Sequence, residues 1–303
     1  MSKRGVNMRL GRLRALAPFR DPADNGVTLI LGSGRSGTTW LTELAAAGTD
    51  GRIIFEPLHP KCVRGRMALP RRPYLPPDQP CSEMRPIFDP VFDGSLRSVW
   101  SDRYNDRFCY RHRLIKEIRA NLCLGWIAKT YPQVRIALIV RNPINVAQSQ
   151  MAGGWPVELS WLHAQPELLR DHPFLAAPEL NRCDTQFKRN IAHWAVENRV
   201  ALDQLECNVA DRQRVRFFSY DTLKDDPLCL MEFLEFAGVA NPARILGQAS
   251  RPSRVTRPKV KDPRAGEAEK HMPTVSELDY AHGVLEQLHL IDFAQGDLSG
   301  SRK

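Results

Sequence analysis

The stretch Gly32-Ser-Gly-Arg-Ser-Gly-Thr-Thr39 constrains what this chain can fold into more than any other segment. It follows Val27-Thr-Leu-Ile-Leu31, a short apolar run rich in β-branched residues and bounded by glycines, which reads as a buried parallel strand. Beyond it, Leu41, Leu44 and Ala45 recur at helical spacing between Thr38 and Ala47. Glycines let a backbone curl until several N–H groups face one anion, and the N-terminus of the next helix adds partial positive charge. Strand, loop and helix in this order predict an α/β sheet with an anion site at the end of its first strand.

The rest of the chain continues the alternation. Arg52–Phe55, Arg113–Ile118, Val134–Val140 and Val215–Ser219 read as strands. Helical patterns occupy 120–130, a segment from Pro143, 184–205, 227–236 and 274–289. The expectation is an α/β, P-loop-type three-layer fold: a central parallel sheet flanked by helices, in a single domain over 26–295. Nine prolines fall between 57 and 90 with little periodicity, so 57–110 is expected to be an extended covering flap rather than a core layer. Residues 153–182, with Trp155, Trp161 and several prolines, are a second such flap. Residues 1–25 are a basic tail, expected to be disordered.

The net charge of +9, from 43 basic and 34 acidic residues, calls for an anionic partner: a nucleic acid, a membrane surface or a polyphosphorylated ligand. No run of about 20 apolar residues exists, which argues against an integral membrane segment. No apolar region follows the basic N-terminus, so a cytoplasmic protein is expected. The seven cysteines are scattered without a C-x-x-C pair, giving neither a disulfide framework nor a zinc site.

The loop departs from the nucleotide-binding pattern G-x-x-x-x-G-K-[ST] in one respect. Gly32 and Gly37 keep the spacing, but Thr38 stands where the lysine belongs, and the cation is Arg35 inside the loop. The apolar strand 136–140 ends in Arg141, where a metal-dependent nucleotide hydrolase would place a carboxylate. Two arginines and no carboxylate describe a pocket for an anion-rich nucleotide held without a metal.

These segments resemble the sulfotransferases that use 3′-phosphoadenosine 5′-phosphosulfate (PAPS). Arg35-Ser-Gly-Thr-Thr-Trp-Leu41 is similar to their phosphosulfate loop. Leu138-Ile-Val-Arg-Asn-Pro143, with Ser149 eight residues after Arg141, is similar to their 3′-phosphate motif. The resemblance implies that Arg35, Ser36, Gly37, Thr38 and Thr39 cradle the phosphosulfate, and that Arg141 and Ser149 hold the 3′-phosphate. It further implies that Trp40 stacks on adenine and that Tyr220, in Phe217-Phe-Ser-Tyr-Asp-Thr-Leu223, lines the adenine pocket.

Sulfuryl transfer to an alcohol needs a proton acceptor and positive charge at the departing oxygen. The cytosolic branch of the family supplies both from a Lys-x-His motif. Here Lys116 is retained, but Ile118 replaces the histidine. Phe55-Glu-Pro-Leu-His59 resembles the glutamate segment of carbohydrate 6-O-sulfotransferases, which makes Glu56 the expected base, its pKa raised by burial, with His59 as competitor. Lys116 and Arg35 complete the catalytic set, and Trp155 and Trp161 are expected to shape the site of a carbohydrate or small-molecule hydroxyl acceptor. Two other readings stay open at this point: a P-loop kinase or NTPase, and a non-catalytic basic nucleic-acid-binding protein, for which an arginine stripe with interleaved aromatics would be the signature.

Overall fold

Five apolar runs form five parallel strands in a computed structural model describing residues 26–63, 70–155, 157–208, 213–253 and 271–292. They are β1 (Val27–Gly32), β2 (Gly51–Phe55), β3 (His112–Glu117), β4 (Val134–Val140) and β5 (Val215–Ser219), in the order β2-β3-β1-β4-β5. Leu29 stands level with Ile115 on β3 and with Ile136 on β4. Successive side chains leave opposite faces of a strand, and both faces here are apolar. Leu29, Leu31, Ile115, Ile136 and Leu138 belong to one core layer, and Ile30, Leu114, Ala137 and Ile139 to the other.

The helices of the framework are α1 (Thr38–Thr49), α2 (Arg85–Phe92), α3 (Leu124–Thr130), α4 (Pro143–Ala152), α5 (Gln186–Asn208), α6 (Tyr220–Asp225), α7 (Pro227–Phe236) and α8 (Val275–Gln287). α1 and α7 cover one face of the sheet, and α2, α3 and α5 the other, which gives the expected three layers. Their ends follow capping chemistry. Asn142 accepts from the amides of Ile144 and Asn145 at the start of α4, where Pro143 loses no needed donor. Thr274 and Glu277 form a reciprocal capping box on α8.

β1 leads away toward β2 on one side of the sheet, whereas β4 leads toward β5 on the other. A crevice therefore opens between the C-terminal ends of these two neighbours, at the topological switch point. The loop 32–37 and Arg141 both stand at its mouth.

Two expectations need correction. The first flap is not merely a cover: α2 lies inside it and buries Ile87, Phe88, Val91 and Phe92 in the core. Its i, i+1, i+4, i+5 apolar pattern is interrupted by Pro86 and Pro90, but Pro86 sits in the first turn, where no backbone donor is needed. The second flap likewise sends Leu162, Leu168, Leu175 and Leu180 into the core. The edge strand β2 is closed by the first flap, whose Asn105 exchanges two hydrogen bonds with the Ile53 backbone (2.8 and 2.9 Å). The tail 1–25 and most of the basic stretch 250–273 lie outside the described residues. Among those described, no helix is long and apolar enough to cross a membrane.

Candidate active site

Backbone proximity sets the shape of the loop 32–37. A Cβ on Gly32 would lie 2.5 Å from the Ile139 carbonyl oxygen, and one on Gly37, at φ 80°, would lie 2.1 Å from the Tyr220 ring. Arg35 also adopts φ 80°, a conformation that costs a non-glycine residue free energy and that clusters at binding sites. Its carbonyl accepts from Arg141 Nη1 (2.9 Å), and its own Nε donates to Ser149 Oγ (2.9 Å). Burial, followed by the neighbouring Arg141, pulls the Arg35 pKa down. Two guanidinium groups thus converge without a carboxylate partner among the described residues. The Ser36 hydroxyl and Arg141 Nε are buried with no hydrogen-bond partner. Unsatisfied buried donors cost about 1–3 kcal/mol each, and a bound anion would relieve that cost.

Aromatic rings form the wall beyond. Arg141 lies 4.7 Å from the Tyr220 ring centre, Tyr220 meets Trp40 edge-to-face at 5.8 Å, and Trp40 Nε1 donates to the Ala249 carbonyl (3.1 Å). Trp155 closes the loop side against Gly34, with Arg35 5.9 Å from its ring centre.

The opposite end of the cleft is built by β2 and β3. Glu56 leaves β2 at φ 44°, and its amide donates to the Lys116 carbonyl (2.7 Å). Its carboxylate receives Lys116 Nζ on Oε1 (2.6 Å) and Arg119 Nη1 on Oε2 (2.9 Å). Burial by itself would raise the carboxyl pKa, but Lys116 and then Arg119 overcome it and hold the group at about 2. The expected upward shift is therefore reversed. Burial draws the Lys116 ammonium down, against the pull of Glu56. His59 stacks on Trp100 (centroids 3.8 Å apart) and accepts from the Lys61 amide, while burial and then Arg119 press its pKa to about 4.

Arg35, Gly37, Thr38, Thr39, Trp40, Glu56, Lys116, Arg141, Ser149 and Tyr220 all line one cleft of about 310 Å³, with Ser36 buried behind it. Ile118 lines it too, in the place of the missing histidine. Trp155 shares the cleft, but Trp161 of the second flap does not: it is buried against His193 of α5 and serves the core. His59 is not among the lining residues. Sequence reasoning missed Arg119, which grips Glu56, and Arg103, which stacks over Trp100 at 3.4 Å and Phe55 at 4.2 Å. Only the spacing of Arg119 three residues after Lys116 hinted at the first; nothing local marks the second. Among the described residues, no three His, Cys, Asp or Glu side chains cluster in a way that could hold a metal ion.

The model of the sulfotransferase family matches residues 28–234, which include every residue of this cleft except Ser253. Among solved structures, the chain is similar to the crystal structure of the sulfotransferase from Alicyclobacillus acidocaldarius. That match has 16% identity and a TM-score of 0.43, covering 92% of this chain and 99% of that one. No curated protein matches the sequence.

Proposed function

The chain belongs to the sulfotransferase family, and on that premise we propose that it moves the sulfuryl group of PAPS to a hydroxyl of a carbohydrate or small-molecule acceptor. One observation carries the reading: Arg35 and Arg141 converge at one end of a cleft whose other end holds Glu56 and Lys116, with the unpartnered Ser36 hydroxyl buried behind the arginines' loop. In this reading Arg35 and the loop 36–39 bind the phosphosulfate. Arg141 and Ser149 bind the 3′-phosphate, and Trp40 with Tyr220 bounds the adenine. A kinase or NTPase reading lacks a lysine in the loop and a carboxylate at the end of β4.

Glu56 would take the proton of the acceptor hydroxyl. The acceptor oxygen forms the new bond to sulfur, the bond from sulfur to the phosphate oxygen breaks, and 3′,5′-bisphosphoadenosine leaves. Lys116, which lines the cleft beside its partner Glu56, would stabilise charge on the departing oxygen. Its turn toward that oxygen would also free one lobe of Glu56, raising its basicity when the proton must move. The reading keeps the cytoplasmic setting, which suits six free cysteines among the described residues.

The test is the 3′-phosphate. Charged hydrogen bonds contribute about 1.5–3 kcal/mol, or one to two decades in affinity. By calorimetry, Arg141→Ala should abolish the preference for 3′-phosphorylated adenosine nucleotides over AMP. A variant that keeps the preference places that phosphate elsewhere.

A further inference from the structure

Beneath the phosphate loop, outside the cleft, lies a polar cluster that the reaction itself does not use. Glu197 on α5 is fully buried. Its Oε2 accepts from the Ser33 hydroxyl (2.7 Å), and its Oε1 pairs with Arg72 of the first flap. Asn198 Nδ2 donates to the same Ser33 oxygen (3.3 Å). His193 Nδ1 lies 3.6 Å from Oε2 and has no hydrogen-bond partner. A buried carboxylate beside a serine of the loop, with its counter-ion on a different segment, ties three parts of the chain together.

The flap is itself seated. Gln165 of the second flap donates to the Arg72 carbonyl (2.8 Å) and accepts from the Tyr74 amide (2.7 Å), and Cys123 Sγ donates to the Pro73 carbonyl (3.1 Å). On its other side the loop is held by Gln150 Nε2 donating to the Gly34 carbonyl (2.9 Å).

Building on the PAPS-binding reading, we propose that Glu197 is a positioning residue for the phosphate loop, kept charged by Arg72, so that donor affinity depends on the seating of the covering flap. Ser33, Arg72 and Glu197 do not line the cleft, so any effect on donor binding passes through the loop. Burial opposes ionisation of Glu197, and Arg72, with the hydrogen bond from Ser33, overcomes it; burial and then the nearby arginines press His193 to about 4, so it adds no charge near neutral pH. Without Arg72 the carboxylate would be a buried charge lacking its main partner, and its acceptor role toward Ser33 would be lost or shared with a proton.

Two measurements on the full chain test this. Calorimetry with 3′,5′-bisphosphoadenosine should show about tenfold weaker binding for Ser33→Ala and for Arg72→Met, the loss of one charge-assisted hydrogen bond. The double variant should lose no more than either single one, because both act through Glu197. Arg72→Lys, which keeps the charge, should bind within about threefold of wild type. Independent losses multiplying to about a hundredfold, or single variants that bind like wild type, would overturn the proposal. Hydrogen exchange on the ligand-free protein reads the link directly: the amides of 32–37 should lose protection in Ser33→Ala and Arg72→Met but not in Arg72→Lys. If Arg72→Met does not fold, Ser33→Ala decides alone, and unchanged exchange in its loop sinks the idea. If the wild-type protein binds no bisphosphoadenosine, the donor reading falls, while loop exchange still decides whether Glu197 positions the loop.

Discussion

Glu56 sits between two cations, Lys116 and Arg119, and that placement sets both its chemistry and its contribution to stability. Held at about 2, the carboxylate is ionised at every working pH and is a weak base in the free protein. In the proposed role of base it would depend on bound ligands drawing Lys116 away. Glu56→Gln keeps the shape but cannot take a proton, so turnover should fall by roughly 10²–10⁴-fold. Affinity for 3′,5′-bisphosphoadenosine should hardly change, because Arg35 and Arg141, the arginines proposed to bind its phosphates, are untouched. His59→Ala should keep most of its turnover, since His59 is stacked on Trp100 and lies outside the cleft lining. The opposite result in the two variants would exchange their roles. The same pKa makes a statement about stability. A carboxyl at about 2 in the folded protein, against about 4.3 unfolded, binds its proton first in the unfolded chain. Its contribution is complete above about pH 5 and is lost as pH falls toward 2, on the order of 3 kcal/mol. Urea unfolding at pH 6 and pH 3 should show wild type losing more stability over that interval than Glu56→Gln does.

Among the elements, β2 depends most on a segment far from it in sequence. Arg52, fully buried on β2, donates to Asp102 (2.8 and 3.0 Å) and to the carbonyls of Gly94 and Leu96, all in the first flap. Removing one partner of a buried ion pair costs about 3–5 kcal/mol, more than replacing the pair as a whole. Asp102→Ala should lower unfolding stability by that order, measured in urea, whereas Arg52→Met paired with Asp102→Leu should recover much of it. Such dependence explains what could be read in advance. The strands were legible because each carries a short cluster of aliphatic or aromatic residues, and α5 and α7 because their apolar residues recur at helical spacing. α2 was not, since Pro86 and Pro90 break the pattern that its Ile87, Phe88, Val91 and Phe92 otherwise make. The cleft divides the same way. Its glycine-rich loop is contiguous in sequence, so glycine spacing and Arg35 announce it. Arg119 and Glu197 gain their meaning only from partners 63 and 125 or more residues away, Glu56 and Arg72 or Ser33, which no local pattern carries.

For the whole molecule, the strand order β2-β3-β1-β4-β5 brings residues about 100 apart in sequence, Arg35 and Arg141, to one crevice, and the two flaps close over the sheet that builds it. A ligand filling that crevice touches the ends of β1 and β4 together with α1, α4 and α6, so its binding should be felt as stability of the entire fold. A ligand at a hundred times its Kd adds about 2.7 kcal/mol. With roughly 2–4 °C per kcal/mol for a chain of this size class, 3′,5′-bisphosphoadenosine should raise Tm by about 5–10 °C. On the PAPS reading EDTA should leave that shift unchanged, because that reading gives the phosphates to Arg35, Arg141 and the loop 36–39. Arg141→Ala should shrink it, while Glu56→Gln should not. Mg-ATP at the same concentration should give a smaller shift, since it lacks the 3′-phosphate that the proposed reading assigns to Arg141 and Ser149. A larger shift with Mg-ATP, abolished by EDTA, would mean that the crevice is built for a triphosphate and its metal, and the PAPS reading would have to be given up.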